Sequence, residues 1–410
     1  MSHRIIFIVF DGLGDRPIPA LNNLTPLEAA QTPNLDALAK IGINGLIHTI
    51  ERSIRPGSDV AHLSLFGYDP RKYYRGRGPF EAAGIGMILK PGDIAFRGNV
   101  STQNEKGIII DRRAGRIDSV ENLAKSINNL KIDDVTVHAK AGVGHRIAIV
   151  LRGLNLSDEI TDTDPHHLNS TILNSRPKND TKQAKKTADI VNQLTQKVNQ
   201  IFAIHPVNEN RRRNKLPEAN CLLLRGAGIM TDFPPFKEKY GFNACCIAGG
   251  GLYKGIARIL GMDIIEVKGA TGKPKTNPKS KIQSLIENFD NYDFFFIHFK
   301  GADTCAEDGD YLGKKEYLEY VDKELSPVVK YVYKNQALCI VTGDHSTSSR
   351  LKSHTADEVP VLVAGLDVRV DDVFKMGERS AQRGGLGHID GRHLMRYIDN
   401  IVGKEPLYGN

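Results

Sequence analysis

Three largely apolar runs of strand length, each followed closely by an acidic residue, constrain the fold of this chain more than any other feature. The runs are residues 5–10, 292–299 and 337–341, and the acidic residues that follow them are Asp11, Asp303 and Asp344. Continuous rather than alternating hydrophobicity is typical of strands buried on both faces of an α/β sheet. Because ligands bind at the carboxyl ends of the strands in open sheets, we expect these acidic side chains to converge there.

The arrangement of segments along the chain predicts two domains. The 410 residues are too many for one ordinary compact domain. Strand-like segments near both ends of the chain predict a doubly wound, mostly parallel α/β sheet, whereas the middle has short alternating strands and a polar helical stretch at 181–199. The stretch 271–278 is rich in Gly, Pro and Lys, which is typical of a linker. We therefore expect a sheet domain from residues 1–72 and 275–410 and an inserted second α/β domain at 73–274.

Composition limits the compartment and the partners. Fifty-five Lys and Arg against 48 Asp and Glu give a net charge of +7, which favours nucleic acid or an anionic small molecule as ligand. The five cysteines are odd in number and lack a C-x-x-C spacing, so we expect neither a disulfide framework nor a cysteine-rich zinc site. The first apolar run ends at Phe10, too short for a signal peptide or a membrane span. We expect a cytoplasmic protein with no membrane partner.

The residues at the predicted sheet edge suggest metal chemistry. Carboxylate oxygens with an imidazole suit Mn²⁺, Mg²⁺ or Zn²⁺, and two such ions can hold the oxygens of a phosphoryl group in transfer. The alternative is that each acidic residue only caps a helix or forms a turn. The candidate ligands at this point are Asp11, Asp303, Asp344 and His345.

Ser58 is the candidate nucleophile. It follows Gly57 and begins a segment that can be helical as far as Phe66. The N–H groups at a helix N-terminus favour phosphate, and a neighbouring metal ion would activate a serine hydroxyl. By position alone, however, Ser58 could equally be an ordinary N-cap. His62, four residues later on the same helical face, either lines the site or only contributes to packing.

Eleven motifs follow one another in a fixed order along nearly the whole chain. They are IVFDGLGDRP from Ile8, TPLEAAQTPNLDALA from Thr25, PGSDVAHLSLFGYDP from Pro56, YRGRGPFEAAGIG from Tyr74, DIAFRGN from Asp93, DTDPH from Asp162, HPVNENRRRNKLPEAN from His205, LLRGAG from Leu223, KGAD from Lys300, TGDHS from Thr342 and HTADEVPVL from His354. Together these motifs make the chain resemble the archaeal-type cofactor-independent phosphoglycerate mutases, members of the alkaline phosphatase superfamily. The resemblance implies an alkaline-phosphatase-like sheet domain with an inserted domain.

The resemblance also implies an isomerase of glycolysis and gluconeogenesis that interconverts 3-phosphoglycerate and 2-phosphoglycerate. It would act through a phosphoserine at Ser58, without 2,3-bisphosphoglycerate. Two divalent metal ions are implied, with Mn²⁺ favoured over Mg²⁺, Co²⁺ or Zn²⁺. Matched residue by residue, the ligands of one ion are Asp11, Ser58, Asp344 and His345, and those of the other include Asp303 and His354.

Glu307 departs from the family pattern, which has a histidine at this position, four residues after the aspartate that matches Asp303. A carboxylate can still donate an oxygen, so our hypothesis is that Glu307 is a ligand of the second ion. A harder, charged ligand would shift the preference of that site toward Mn²⁺ or Mg²⁺ and away from Zn²⁺.

Further site residues are assigned by the same match. Lys300 is interpreted as a cation that neutralises the phosphate, although it could be a solvated lysine at the end of a strand. In the DTDPH motif, Asp162 or Asp164 is the candidate general base and His166 a substrate contact; the alternative is a simple turn. Such a reaction also needs arginines that bind the carboxylate or phosphate of the substrate, and the predicted insert offers Arg225 and Arg146 for this role, although Arg146 could instead be a charge at a strand edge.

Two other functions remain open at this point. One is a metal-dependent phosphomonoesterase, or a mutase of another phosphorylated metabolite, on the same scaffold. The other is a phosphometabolite-binding protein that has lost catalysis, for which Glu307 is the one hint. The expected partner is a small phosphorylated molecule and not nucleic acid, and the sequence leaves a homo-oligomer open.

Overall fold

The computed structural model describes residues 4–405 and residue 407, and the chain forms two compact units. The first unit holds the chain up to Tyr73 and from Phe233 onward, and the second unit is Tyr74–Asp232. The strands are β1 (Arg4–Phe10), β2 (Gly42–His48), β3 (Ile94–Gln103), β4 (Ile109–Asp111), β5 (Leu130–Ile132), β6 (Val135–Ala141), β7 (Arg146–Arg152), β8 (Cys221–Ile229), β9 (Ala244–Ile247), β10 (Asp263–Ile264), β11 (Phe294–Phe299), β12 (Ala337–Thr342), β13 (Ser346–Ser348), β14 (Ser353–Thr355), β15 (Val359–Ala364) and β16 (Gly387–Asp390).

The α-helices vary in length from single turns to the long α7. They are α1 (Pro26–Ala29), α2 (Pro33–Lys40), α3 (Ser58–Leu65), α4 (Pro70–Tyr73), α5 (Gly78–Gly84), α6 (Glu121–Ile127), α7 (Lys182–Ala203), α8 (Pro206–Arg213), α9 (Phe236–Tyr240), α10 (Gly251–Ile259), α11 (Pro278–Glu287), α12 (Gly301–Asp308), α13 (Tyr311–Asp322), α14 (Ser326–Tyr333), α15 (Glu378–Ala381) and α16 (Gly391–Ile401). Among the described residues, no helix is both long and apolar enough to span a membrane.

The first unit is built on an eight-stranded sheet in the order β10-β9-β11-β1-β12-β15-β2-β16. β15 runs antiparallel to both of its neighbours, and the remaining neighbours pair in parallel. Every residue of β11, β12 and β15 is buried, as is β1 beyond Arg4, which is why their sequences are mostly apolar and do not alternate with polar residues. The predicted fold class, a mostly parallel α/β sheet with an inserted second domain, is confirmed.

An aromatic cluster holds α3 against this sheet. The ring of Phe66, the residue that follows α3, lies 5.6 Å from the ring of Phe7 on β1 and 4.9 Å from that of Phe296 on β11. Packed aromatic pairs of this kind are worth roughly 0.5–1.5 kcal/mol beyond the area they bury. The packing fixes the position of the first residue of α3, Ser58, relative to the strand ends.

The second unit has its own antiparallel sheet and its own core. Its strands follow the order β4-β3-β7-β6-β5, and β8 also pairs with β3. Alternate residues of β3, such as Phe96 and Val100, enter a core that includes Leu194 of α7. α7 begins where the Thr181 side chain accepts a hydrogen bond from the N–H of Ala184.

The boundary of the inserted unit differs from the prediction. The sequence placed its end at residue 274, whereas the structure places it at Asp232. The physical reason is strand pairing: β9 pairs in parallel with β11, and β10 extends the same sheet from β9. The stretch 271–278 is therefore a connection within the first unit and the start of α11, not a linker between domains.

Glu378 makes the stability of the first unit depend on pH. Its carboxyl group accepts hydrogen bonds from the Thr25 hydroxyl (2.6 Å) and the Asp15 N–H (3.1 Å), and burial raises its pKa from 4.5 to about 7. Because the pKa of Glu378 is higher in the folded chain than in the unfolded chain, the protonated carboxyl group favours folding. This contribution to the free energy of unfolding is complete at low pH and is lost as the pH rises through about 7.

We expect the free energy of unfolding of the wild type to fall by about 2–3 kcal/mol between roughly pH 4.5 and 7 because of this group. Glu378→Gln keeps both hydrogen-bond partners within reach and does not titrate. Urea unfolding at several pH values should therefore give a smaller fall in the variant. Identical pH dependence in the two proteins would contradict this assignment.

Candidate active site

The carboxyl ends of β1 and β12 bring three buried ligand groups together. Asp11 follows β1, and Asp344 and His345 follow β12, its neighbour in the sheet. His345 Nε2 lies 3.4 Å from Asp11 Oδ1 and 3.4 Å from Asp344 Oδ2, and all three side chains are fully buried. We call these three residues the first cluster; their ligand atoms are close enough to share one ion.

A second cluster, formed by Asp303, His345 and His354, lies beside the first. Asp303 is in the first turn of α12 and His354 is in β14; His354 Nε2 lies 3.5 Å from Asp303 Oδ1, and its ring stacks on that of His345 at 3.6 Å. Glu307 lies one turn further along α12, with its Oε1 3.9 Å from His354 Nε2 and about half of its side chain exposed. Glu307 thus borders the second cluster from the solvent side.

Ser58 begins α3 next to these clusters. Its Oγ lies 3.2 Å from His345 Nε2, and its carbonyl oxygen lies 2.7 Å from His62 Nδ1. The preceding residue, Gly57, is extended and has no side chain to cap the first turn of α3. The hydroxyl therefore stands beside an imidazole at a helix N-terminus, where an anion is stabilised.

The donor set of the first cluster fits a divalent metal ion. Asp11 Oδ1 and Asp344 Oδ2 are buried and have no hydrogen-bond partner within the part of the chain that the structure describes. A buried carboxylate oxygen without a partner is costly, and a cation bound by both oxygens and by His345 would remove that cost. Oxygen and imidazole ligands are those of Mn²⁺, Mg²⁺ and Zn²⁺ sites.

The electrostatics of the site depend on Lys300. Its Nζ lies 3.1 Å from Asp11 Oδ2 and 2.9 Å from Asp303 Oδ2. Burial opposes ionisation of Asp11, but the charge of Lys300 and the nearby imidazoles of His298 and His345 hold the pKa of Asp11 well below its usual range. Burial and the charge of Asp11 raise the pKa of Asp344. Burial lowers the pKa of His345, but Asp344 and Asp11 outweigh this effect and raise it to about 9.

Two side chains beneath the clusters were missed by the sequence analysis. The Tyr253 hydroxyl, on α10, donates to Asp11 Oδ2, and His298 Nε2 lies 3.4 Å from the same oxygen. The two rings stack with their centroids 3.4 Å apart, and burial lowers the pKa of His298 to about 3. A histidine in an otherwise aromatic strand was the only signal in the sequence.

His62 proves to lie beneath the site rather than on its surface. It is fully buried, and its Nδ1 is 3.6 Å from Asp344 Oδ2 in addition to its contact with the Ser58 carbonyl. The sequence left two roles open for His62, lining the site or packing. Its position favours packing against Ser58, which it helps to position, over contact with a substrate.

Gly12 allows the chain to turn directly after Asp11. Its φ is +66°, and a Cβ at this position would lie 2.7 Å from Thr347 Oγ1 and 2.8 Å from Asp303 Cα. We expect Gly12→Ala to lower the free energy of unfolding by about 2–4 kcal/mol, through strain and overlap together, and to displace the side chains of both clusters. Gly403→Ala is the control, because Gly403 has φ +72° but no atom of the described residues lies within 4 Å of a Cβ built at this position. Equal thermal destabilisation of the two variants would contradict the overlap.

The second unit presents three arginines on one face of its sheet. Arg97 of β3 is paired with Arg225 of β8, and Asn99 of β3 with Arg146 of β7. Residues two apart in a strand share a face, and paired residues do so as well. Phe96 enters the core from the opposite face, so the three arginines point away from that core.

This arginine face contains buried polar atoms without partners. Arg97 Nε and Asn99 Oδ1 have no hydrogen-bond partner, and burial together with the charge of Arg146 lowers the pKa of Arg97 to about 10. Clustered positive charge with free donors is suited to binding an anion. The sequence analysis named Arg146 and Arg225 but missed Arg97; its signal was a lone charge in the alternating strand of the DIAFRGN motif.

The DTDPH segment lies next to β8. Asp164 is buried, forms an ion pair with Arg112 and accepts a hydrogen bond from the His166 N–H at 2.8 Å. Asp162 is more exposed; its Oδ1 accepts from the N–H of Gly226 at 3.0 Å, and its Oδ2 lies 3.3 Å from His166 Nε2. Asp162 is thus the carboxylate of this pair that solvent or a ligand can reach.

Comparisons with known proteins agree with this geometry. A family model described as 2,3-bisphosphoglycerate-independent phosphoglycerate mutase matches residues 39–208. A protein of Methanocaldococcus jannaschii named 2,3-bisphosphoglycerate-independent phosphoglycerate mutase 1 is 46% identical over 407 residues, 99% of this chain and 98% of its own length. A protein of the same name from Archaeoglobus fulgidus is 45% identical over 410 residues, 99% of each chain.

Solved structures agree as well. The PH0037 protein of Pyrococcus horikoshii matches all of this chain and all of its own, with a TM-score of 0.86 and 35% identity. The cofactor-independent phosphoglycerate mutase of Thermoplasma acidophilum matches 98% of this chain and 100% of its own, with a TM-score of 0.75 and 36% identity. The resemblance found in the motifs is thereby confirmed over the full length, and the chain belongs to the family of 2,3-bisphosphoglycerate-independent phosphoglycerate mutases.

Proposed function

We propose that this protein interconverts 3-phosphoglycerate and 2-phosphoglycerate through a phosphoserine at Ser58, without 2,3-bisphosphoglycerate. The observation that carries the proposal is the position of the Ser58 hydroxyl, 3.2 Å from His345 Nε2 at the first turn of α3 and beside carboxylate oxygens that lack partners. The relatives named as phosphoglycerate mutases support the choice of substrate.

We infer that the two clusters hold two divalent metal ions. Asp11, Asp344, His345 and Ser58 would hold one, and Asp303 and His354 the other, with Glu307 completing the second site. When bound, the ions would supply Lewis-acid stabilisation of the phosphoryl oxygens and favour ionisation of the serine hydroxyl. Mn²⁺ is the ion that this mixed oxygen and nitrogen set, with an added carboxylate, suits best.

The phosphoryl group would be held by the residues of the first unit. In the forward direction a bond forms between Ser58 Oγ and phosphorus while the bond from phosphorus to the 3-oxygen of the glycerate breaks; the departing oxygen takes up a proton. Lys300 carries its charge to the same edge of the sheet, where it would offset negative charge on the phosphoryl oxygens. The N–H groups at the start of α3 would do the same.

We assign recognition of the glycerate to the second unit. The carboxylate of the glycerate needs a cation as partner, and the arginine face offers Arg97, Arg146 and Arg225. Among the described residues, Arg97 Nε has no hydrogen-bond acceptor and could donate to the substrate. In the second half-reaction the 2-oxygen would form a bond to phosphorus while the bond from phosphorus to Ser58 Oγ breaks; the 2-hydroxyl gives up a proton and Ser58 Oγ takes one up. Asp162 is the better candidate for this base, because Asp164 is committed to Arg112.

Purified protein supplied with Mn²⁺ and 3-phosphoglycerate tests the proposal. We expect 2-phosphoglycerate to form without added bisphosphoglycerate, detected through enolase as an increase in phosphoenolpyruvate absorbance. Free phosphate as the main product would instead identify a phosphomonoesterase on the same scaffold. No turnover with Mn²⁺, Mg²⁺, Co²⁺ or Zn²⁺ would support a binding protein and overturn the proposed function.

A further inference from the structure

Two histidines and a glutamate lie together at one end of the eight-stranded sheet. His48 is the last residue of β2, Glu358 directly precedes β15, and His388 lies in β16. These three strands are consecutive in the sheet order. None of the three residues belongs to the clusters around Ser58, and the proposed mutase reaction uses none of them.

The strand register places the three side chains on one face. Val359 of β15 is paired with Ile47 of β2, so the residue before it, Glu358, stands beside His48. His388 of β16 is paired with Leu46, which lies two residues before His48. Because residues two apart in a strand point to the same face, His388 and His48 project to the same side.

The ligand atoms of the three side chains lie close together. Glu358 Oε1 lies 2.5 Å from His48 Nε2 and 2.5 Å from His388 Nδ1. The contact to His388 is a hydrogen bond, but His48 Nε2 lacks hydrogen-bond geometry and is a buried nitrogen with no hydrogen-bond partner among the described residues. All three ligand atoms are within 4.8 Å of one another, as one bound ion requires.

We propose that His48, Glu358 and His388 form a binding site for Zn²⁺. Two imidazoles and one carboxylate are a common ligand set for this ion and are disfavoured by Mg²⁺ and Ca²⁺, which prefer all-oxygen sites. A bound ion would give His48 Nε2 the partner that it lacks. Three protein ligands leave the fourth tetrahedral position to water.

The surroundings allow the ion to enter and give it a structural effect. About half of the His388 side chain is exposed, and a cavity of about 600 Å³ is lined by His48 and Glu358. β16 is the last strand of the sheet at this end and pairs only with β2, over four residues. An ion held by all three residues would join this edge strand to both β2 and β15.

Zinc stoichiometry of the full-length protein tests this site. Equilibrium dialysis against zinc, with the free ion held in the micromolar range by a chelator, is followed by metal analysis of wild type, His388→Ala, His48→Gln and His393→Ala. The clusters around Ser58 are unchanged in all four proteins, so any zinc that they bind is the same in each and does not affect the difference in stoichiometry. His393 is the matched control, because it is an exposed histidine five residues after His388 whose ring lies near Asp390.

We expect His388→Ala and His48→Gln to bind one equivalent of zinc fewer than wild type and His393→Ala. Zinc should also raise the Tm of wild type more than that of His388→Ala, which lacks one of the three proposed ligands. Equal stoichiometry in all four proteins would overturn the proposal, whatever the activity of each. So would an equal zinc-induced rise in Tm in wild type and His388→Ala.

Discussion

Ser58→Ala is expected to lower the rate of conversion of 3-phosphoglycerate to 2-phosphoglycerate by about 10⁴-fold or more, because the proposed reaction has no other hydroxyl to carry the phosphoryl group. Rapid quenching of the wild type with substrate should give a peptide containing Ser58 that is heavier by one phosphoryl group. The same peptide of the variant should stay unmodified.

Ser64→Ala provides the matched control for this experiment. Ser64 lies in the same helix and is fully buried, but its hydroxyl has no hydrogen-bond partner. Removing it deletes an oxygen of the same kind without touching either cluster, so we expect activity within about twofold of wild type and no loss of stability above roughly 1 kcal/mol. Substantial turnover by Ser58→Ala would refute the covalent mechanism while leaving the family assignment intact.

Asp344→Asn is expected to separate activity from stability. Asparagine keeps the oxygen that accepts the N–H of Gly12 at 3.1 Å, but it removes the charge needed to bind a cation. We expect activity to fall by about 10³-fold or more and not to be restored by added Mn²⁺. Wild type stripped of metal by a chelator should lose activity and regain it with Mn²⁺.

The stability of the metal-free protein should change in the opposite direction. Burial and the nearby charge of Asp11 raise the pKa of Asp344, which means that its ionised form is disfavoured in the folded chain. Replacing it by a neutral group of the same shape should therefore raise the Tm of the metal-free protein at neutral pH. Calorimetry in the presence of a chelator measures this change, and a clear fall in Tm would contradict the proposed repulsion.

Asp357→Asn is the control for the loss of a carboxylate from the first unit. Asp357 forms an ion pair with Arg16 at 2.7 Å, and the side chains of both residues are more than a third exposed. An exposed pair contributes about 0–1 kcal/mol, so we expect little change in either activity or Tm. If this variant lost activity to the same extent as Asp344→Asn, the effect could not be assigned to the two clusters proposed to bind metal.

The fold was predicted from local apolar runs, and the structure has a strand at each of them. β1, β11 and β12 differ from the predicted runs by one or two residues. Strands buried on both faces must be apolar throughout, so the pattern itself carries the information. The predicted end of the inserted unit was wrong because the four-residue strand β9 belongs to the sheet of the first unit, where it pairs with β11. No local sequence pattern indicates such a pairing.

The candidate site was predictable in part. Asp11 and Asp344 follow long apolar strands, which is a signal that sequence reading can use. Tyr253 and His298 reach Asp11 only because α10 and β11 pack beside β1, and neither residue has a motif of its own. Arg97 was missed for a similar reason: its relation to Arg225 and Arg146 exists only through strand register.

The sequence by itself determined the class of sheet, the family and the identity of the polar residues at the strand ends, because burial on both faces and ordered motifs are written in local patterns. Only the tertiary structure decided which of those residues meet. It brings Ser58, on a helix, to His345, after a strand that lies far along the chain. It also brings together His48, Glu358 and His388, which share no motif, because contacts between distant segments depend on strand order and register.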